Sequence, residues 1–215
     1  KYALMGLHRV YDSYVDYPLL MLHAETGLEK YRSHARRNLD WIVSEKQQSN
    51  GWFEDADNTQ KKNDKPILHT IAYTIDGLLD CGIYLEERSY IEAAQKAADV
   101  LKEKFDRDGF LNGRYNSRWE GSEHMILTGC AQMSIVWSKI AHYSGNATYA
   151  ASVAKMNSML VHLQWNSRSK GSSEMFGAIS GSYPFWGRYE PFAFPNWATK
   201  YLADALMLEE QQQKQ

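Results

Sequence analysis

The 215-residue sequence predicts an all-α fold built from stacked helical hairpins. Tyr31, Tyr90 and Tyr149 each follow a short turn and open an amphipathic run, and the differences 90 − 31 and 149 − 90 are both 59. Segments that begin at His69 and Thr128 repeat at the same interval. A repeat of this length with two helical runs is one helical hairpin, which must stack on a neighbour to bury its apolar face.

Apolar residues spaced three and four apart predict seven helices. They cover Tyr11–Thr26, Leu28–Gln47, Ile67–Leu85, Ser89–Phe105, Glu123–Ser144, Ala147–Gln164 and Pro195–Glu210. These helices make three hairpins and the first helix of a fourth. Because the second helix of each pair is amphipathic and the first is more apolar all round, first helices are expected inside and second helices outside.

Charge, hydropathy and cysteine spacing exclude several classes of protein. A formal net charge of −2 argues against a nucleic-acid or membrane-surface binder, which would show a basic footprint. No apolar run approaches the roughly 18 residues that a membrane span needs. Cys81 and Cys130 lack metal or redox spacing, which favours buried free thiols. No cofactor or metal motif is present, so neither group is expected.

Long connections are predicted between hairpins, at Gln48–Pro66, Asp106–Ser122 and Trp165–Phe194, whereas the turns within hairpins are short. Each long connection leads from an outer helix to an inner one. All three loops are therefore expected at the same end of the bundle, where the inner helices begin and add partial positive charge.

One segment carries a family resemblance. Gln47, Gly51 and Phe53 form a Gln-x3-Gly-x-aromatic pattern that resembles the helix-end repeat of squalene and terpenoid cyclases and of prenyltransferases. The second copy departs from it, with Phe105 in place of the glutamine and Leu111 in place of the aromatic residue. The hairpin plan also resembles the (α/α) toroids of polysaccharide lyases, unsaturated-uronyl hydrolases and glucuronyl epimerases.

This resemblance implies an (α/α) toroid or partial barrel of about four helical hairpins with long loops at one end. A complete ring of six hairpins at this period would need more residues than the chain has. Residues 1–215 are therefore expected to form a single hairpin-repeat domain. That domain would be an incomplete or smaller toroid, or the C-terminal part of a larger one.

The second long loop holds the most varied candidate residues. They are Arg114, Tyr115, Arg118, Trp119, Glu120, Glu123 and His124. Aromatic rings beside bidentate polar groups suit sugars, and arginine forks match the carboxylates or sulfates of acidic sugars. The alternative is an Arg118–Glu120 surface ion pair that only orders the loop.

The third loop is dense in aromatic residues. Its expected lining residues are Tyr183, Trp186, Arg188, Tyr189 and Glu190, and its expected core plugs are Phe185, Phe192 and Phe194. Trp197 opens the last inner helix, close to this loop in sequence.

The first loop and the start of an earlier inner helix supply the remaining candidates. His69 suits a base, a sugar contact or a helix cap. Trp52 either plugs the helix ends or contacts substrate. Glu54, Asp55 and Asp57 suit an acid, a cation ligand or a solvated acidic turn, and the solvated turn is the favoured interpretation.

Together these residues predict a carbohydrate-active domain that binds or processes an acidic oligosaccharide or polysaccharide in the loop cleft. A lyase or epimerase would use His69, His124 or Tyr189 as base, with an arginine neutralising the sugar carboxylate. A hydrolase would pair Glu120 or Glu123 with Glu190. The expected substrate contacts are Trp52, Arg114, Tyr115, Arg118, Trp119, Tyr183, Trp186, Arg188 and Trp197.

Two other functions remain open at the level of sequence. The Gln47–Phe53 pattern and the aromatic third loop also fit a terpenoid-cyclase-like pocket for an isoprenoid. A protonation-initiated cyclase is disfavoured, because Glu54-Asp-Ala-Asp57 is not the paired-aspartate motif of those enzymes. A non-catalytic scaffold whose aromatic loops dock a partner is the third interpretation.

Overall fold

The computed structural model describes residues 8–59, 63–165 and 173–214. Its helices are α1 (Ser13–Thr26), α2 (Glu29–Trp41), α3 (Leu68–Leu85), α4 (Arg88–Asp108), α5 (Leu127–Ser144), α6 (Ala147–His162) and α7 (Asn196–Gln213). A 3-10 turn leads into α1 at Val10–Asp12, and a π turn ends α2 at Ile42–Lys46. Every predicted helix is present, so the all-α prediction is confirmed. Parts of the first and third predicted loops, 60–62 and 166–172, lie outside the described residues.

Four two-residue strands lie in the loops: β1 (Arg114–Tyr115), β2 (Gly121–Ser122), β3 (Met125–Ile126) and β4 (Ser182–Tyr183). β3 pairs with β4 in antiparallel register, Met125 opposite Tyr183. The predicted start of the fifth helix at Glu123 was therefore wrong, since the chain is extended at Met125 and becomes helical only at Leu127. Helical periodicity could not predict this pairing, because β4 is distant from β3 in sequence.

The chain divides into two compact units, Lys1–Val100 with Tyr115–Glu120, and Leu101–Arg114 with Gly121–Gln215. In the first unit α1 packs against α2 and α3. In the second unit α5 packs against α6 and α7. α3 and α5 are buried on most sides, as expected of inner helices, whereas α1 buries few side chains because no described helix covers its other face.

The three repeat tyrosines occupy equivalent positions. Each is the third residue of its outer helix, and its backbone N–H donates to the carbonyl three residues earlier. Tyr90 and Tyr149 are buried against the preceding outer helix, Tyr90 through a hydrogen bond to Asp40 and Tyr149 beneath the ammonium group of Lys102. Tyr31 is only half-buried, because no outer helix precedes it among the described residues.

The Gln-x3-Gly-x-aromatic segment ties a loop to the next hairpin. The Gln47 side chain donates to the backbone carbonyl of Ala93 on α4 at 2.7 Å, and Gln47 forms a bridge with Phe53. Gly51 has φ of 85° and lies so close to α4 that a Cβ there would be 3.2 Å from the Ala97 nitrogen. The positive φ and the close approach to α4 both favour glycine at this position. The pattern is therefore architectural in this chain.

Gly51→Ala should destabilise the fold more than Gly109→Ala. Both glycines have positive φ, but a Cβ at Gly109 meets nothing within 4 Å. The left-handed backbone costs each variant about 1 kcal/mol, and overpacking against α4 adds about 1–3 kcal/mol for Gly51 alone. Chemical denaturation of both variants measures the difference, and equal losses would contradict the close approach.

The acidic stretch of the first loop is paired rather than solvated. Asp57 is only 1% exposed and forms a 2.6 Å ion pair with Arg9, itself 4% exposed. Asp55 Oδ2 lies 2.8 Å from Lys46 Nζ. The favoured interpretation of a solvated turn was wrong for Asp57, because its partner lies 48 residues away in sequence. Removing one member of a buried ion pair leaves the other charge uncompensated. The Arg9–Asp57 ion pair therefore stabilises this conformation of the first loop.

Asp16 on α1 is the second buried carboxyl group of the first unit. It is 4% exposed and accepts a 2.6 Å hydrogen bond from the Asn38 amide on α2. Burial raises the pKa of Asp16 to about 7, although the Asn38 bond acts in the opposite direction. The folded protein therefore holds this proton more tightly than the unfolded chain does.

Asp16→Asn should remove a pH-dependent loss of stability. Because the folded-state pKa is raised, ionisation of Asp16 disfavours the folded state as pH rises from about 4 to about 7. The variant should match the wild type near pH 4, and its advantage should grow to at most about 4 kcal/mol near pH 7 and then level off. Unfolding free energies of both proteins between pH 4 and 8 measure this, and a constant difference would contradict it.

Candidate functional site

In the second unit, the second and third loops meet at an ion cluster. The Glu123 carboxylate accepts from Arg114 Nε at 3.1 Å through one oxygen and from Arg188 Nη1 at 3.3 Å through the other. The Arg188 side chain is 81% exposed, and that of Arg114 is 23% exposed. We call Arg114, Glu123 and Arg188 the arginine–glutamate cluster. Two guanidinium groups against one carboxylate leave it with a net positive charge.

Small residues bring these loop segments into contact. A Cβ at Gly187 would lie 2.5 Å from that of Ser182 and 3.1 Å from that of His124, so only glycine allows this approach. The Ser182 hydroxyl donates to the Tyr189 carbonyl at 2.6 Å and accepts from the Tyr189 N–H at 3.1 Å. These contacts and the β3–β4 pairing fix the third loop beside His124.

Exposed aromatic residues lie close in sequence to the arginine–glutamate cluster. Trp197 donates from its indole nitrogen to the Tyr189 hydroxyl at 3.1 Å, which connects the start of α7 to the residue after Arg188. Trp186 is 64% exposed, and Tyr183 is also exposed. Exposed apolar groups of this size often mark a site of interaction.

Backbone strain is concentrated in the same loops. Glu123, Glu190, Phe192 and Trp119 all have positive φ, between 45° and 66°. Residues other than glycine rarely adopt this conformation, and each such residue costs about 1–2 kcal/mol. Strained residues of this kind are often found at functional sites.

A cavity of about 740 Å³ lies beside the third loop in the second unit. Its aromatic lining residues are Trp165, Tyr183, Phe185, Trp186 and Phe194, and its polar lining includes His162, Gln164 and Ser180. The Trp165 indole N–H is buried and has no acceptor among the described residues. Sequence reasoning missed His162 and Gln164, because both lie at the end of a helix whose pattern indicated only packing.

The three phenylalanines of the third loop that were expected in the core, Phe185, Phe192 and Phe194, differ in packing and exposure. Phe185 and Phe194 pack on each other and on Trp165, and they line the cavity rather than a closed core. Phe192 is 68% exposed, so its assignment as a plug was wrong. The Phe192 backbone has a positive φ of 56°, and amino-acid composition does not predict such a conformation.

Three aromatic candidates are buried in the first unit. Trp52, Tyr115 and Trp119 are nearly inaccessible, and the Trp119 indole donates to the Asn50 carbonyl at 3.1 Å. The Asn50 amide in turn donates to the Ser117 carbonyl at 2.7 Å. These bonds connect the first and second loops. Contact of the three rings with substrate stays a prediction, and their burial favours a structural role.

Arg118 and Glu120 form an exposed pair with two hydrogen bonds, of 3.0 and 3.1 Å. Hydrogen bonds from Arg118 and then from Asn116 lower the pKa of Glu120 to about 2. A general acid needs a pKa near the working pH, so this carboxylate is poorly suited to protonate a leaving group. The arrangement matches the alternative in which the pair orders the loop.

His69 belongs to the first unit and Glu190 to the second. His69 is half-buried on α3 and stacks on Tyr73, with ring centroids 4.5 Å apart, and Tyr73 stacks on Tyr14. Glu190 is exposed on the third loop, where its side chain abuts Gly181. The structure thus brings together Arg114, Glu123, His124, Arg188, Tyr189 and Trp197 in the second unit.

No group of three or more His, Cys, Asp or Glu residues within the described ranges is placed to hold a metal ion. Cys81 and Cys130 are buried and form no disulfide bond, as predicted, and burial raises the pKa of Cys130 to about 12. None of the helices in this part of the chain combines the length and apolar character of a bilayer span.

Comparisons with known proteins identify the fold. The unsaturated glucuronyl hydrolase of Bacillus sp. GL1 superposes with a TM-score of 0.72 at 16% identity, over 93% of this chain and 58% of that one. The GH76 α-mannanase of Bacteroides thetaiotaomicron gives 0.67 at 14% identity, over 96% and 53%. A polysaccharide lyase gives 0.67 at 13% identity, over 98% and 65%. The chain has an (α/α) toroid fold.

The comparisons establish the fold and not the chemistry, because the identities are low. The chain spans less than two thirds of the length of each of these three structures. No protein-family model and no curated protein matches the sequence. The expected resemblance to the toroids of polysaccharide lyases and uronyl hydrolases is confirmed at the level of fold.

Proposed function

We propose that this chain is a carbohydrate-active toroid domain and that it binds an acidic oligosaccharide or polysaccharide at the arginine–glutamate cluster. The observation that carries the proposal is the convergence of Arg114 and Arg188 on the Glu123 carboxylate, in a region whose third loop also exposes aromatic rings. Guanidinium forks bind carboxylates in a bidentate manner, and aromatic rings cover the apolar face of a sugar.

The similar structures support a carbohydrate as ligand. They are an unsaturated glucuronyl hydrolase responsible for the degradation of glycosaminoglycan, an α-mannanase and a polysaccharide lyase. An acidic sugar in particular is favoured by the excess positive charge of the arginine–glutamate cluster, since the geometry of a guanidinium group matches that of a carboxylate.

Two kinds of chemistry fit the residues in this region. For a lyase or epimerase, His124 or Tyr189 would remove a proton while Arg188 neutralises the sugar carboxylate. For a hydrolase, Glu123 and Glu190 would be the pair of carboxyl groups. Glu120 is the weaker choice in either case, because its pKa of about 2 keeps it unprotonated.

The aromatic cavity beside the third loop favours a second candidate function. Its volume of about 740 Å³ and its five aromatic lining residues suit the isoprenoid portion of a ligand. An isoprenoid would fill this cavity without involving the arginines. A binding assay with a short prenyl alcohol separates the two functions.

Arg188→Ala and Arg114→Ala should each weaken binding of uronate oligosaccharides about tenfold or more. A charge-assisted hydrogen bond to a ligand carboxylate is worth roughly 1.5–3 kcal/mol, and every 1.4 kcal/mol is about a factor of ten. Arg107→Ala is the matched control, because Arg107 is also exposed and paired with a carboxylate. Isothermal titration calorimetry with uronate and neutral oligosaccharides measures the effect.

Preference for neutral glycans would argue against the acidic-sugar proposal. Selective binding of the prenyl alcohol would favour the isoprenoid function instead. Absence of binding to either ligand class would leave a scaffold role as the better interpretation.

Glu123→Gln should tighten binding of acidic oligosaccharides. The Glu123 carboxylate accepts hydrogen bonds from both arginines, so the carboxylate of a bound sugar must compete with it. Glutamine keeps the size of the side chain and removes the charge, and a gain of several-fold in affinity follows. Glu103→Gln on α4 controls for the change in net charge. Calorimetry that shows weaker binding would assign Glu123 a direct contact with the ligand.

A further inference from the structure

The first unit contains a polar cavity far in sequence from the arginine–glutamate cluster. It has a volume of about 420 Å³ and lies between α1 and α2. Its lining residues are Asp16 and Leu19 from α1, His34, Arg37, Asn38 and Trp41 from α2, and His8. This volume lies within the range of pockets that bind small molecules.

Asp16 is the unusual residue of this cavity. Its side chain is 4% exposed, on a helix that is otherwise largely accessible. A buried carboxyl group lowers stability unless its hydrogen-bonding capacity is met, and Asn38 supplies one donor, to Oδ2. Packing α1 against α2 does not require an acid at this position, because an apolar residue would serve better. An acid that lowers stability at the wall of a cavity indicates a ligand.

The other lining groups indicate the chemistry of that ligand. The lining also includes Arg37 with its guanidinium group, His8 and His34 with their imidazole rings, and the apolar ring of Trp41. His34 Nδ1 is bonded to the Lys30 carbonyl at 2.6 Å, which leaves Nε2 of that ring for a ligand. The His8 ring lies edge-on to Trp41 at 6.1 Å, which narrows the cavity on that side. Asp16 and Asn38 suit hydroxyl groups, whereas Arg37 with the imidazoles suits a carboxylate.

We propose that the α1–α2 cavity binds a polyhydroxylated carboxylic acid the size of one sugar unit, of which a uronic acid is the simplest example. The hydroxyl groups lie against Asp16 and Asn38, and the carboxylate lies against Arg37. This site is separate from the arginine–glutamate cluster, and the proposal does not depend on the function assigned there. The same chemistry is offered by a free sugar acid and by the terminal unit of a polymer.

Two-dimensional ¹⁵N NMR of the full chain tests the site directly. D-glucuronate is titrated first, and D-glucose is the neutral comparison. Glucuronate should shift the amide signals of α1 and α2 around Asp16 and Asn38, and glucose should shift them less at equal concentration. Arg37→Ala should weaken glucuronate binding at least tenfold. Arg36→Ala should leave it unchanged, because Arg36 is paired with Glu87 at 3.6 Å and is not part of the lining.

Arg188→Ala distinguishes this site from the proposed function. Shifts around Asp16 that persist in Arg188→Ala and disappear in Arg37→Ala support the cavity, whether or not acidic polysaccharides bind elsewhere. A tetrasaccharide of glucuronate separates the sources, since equal or tighter binding indicates a polymer end and loss of binding indicates the free acid.

Three results would overturn the proposal. They are the absence of shifts in the cavity at millimolar glucuronate, equal responses to glucose and glucuronate, and unchanged affinity in a folded Arg37→Ala protein. Asp16→Asn provides an independent check, because it is nearly isosteric and should remain folded. It should also weaken glucuronate binding, whereas unaltered affinity would show that Asp16 does not contact the ligand.

Discussion

A two-helix hairpin exposes an apolar stripe that only a neighbouring element can cover, and the rest of this structure depends on that constraint. This constraint explains the 59-residue repeat of the sequence, because each hairpin packs against the next through the same positions. Tyr90 shows the principle at one residue: its ring is buried and its hydroxyl reaches Asp40 on the preceding outer helix. Burial and hydrogen bonding of Tyr90 raise its phenol pKa, so it remains a donor.

Features that depend on short-range periodicity could be predicted from the sequence. Helix positions, the inner and outer alternation and the repeat tyrosines followed from residues three, four and fifty-nine apart. Features that depend on long-range partners could not. The extended segment at Met125 exists because Tyr183 pairs with it, and Asp57 is buried because Arg9 reaches it.

The candidate site was predictable in composition but not in arrangement. The sequence indicated that arginines, acids and rings of the second and third loops were candidates. It did not indicate that Arg114 and Arg188 share the Glu123 carboxylate, or that Trp119 is buried beside Asn50. Those outcomes follow from glycine contacts and from backbone turns at positive φ, which a single sequence does not specify. Asp16 was overlooked because an isolated acidic residue normally faces solvent.

The Gln47 contact with α4 has a consequence for how this architecture tolerates change. Its acceptor is the carbonyl of Ala93, a group that every amino acid offers, and the close approach at Gly51 also involves the main chain of α4. The hydrogen bond itself therefore does not depend on the identity of residue 93, as long as the side chain there is small enough to stay buried. A contact made largely by backbone atoms can persist while side chains change. The three similar structures share only 13–16% of their residues with this chain and still have its fold.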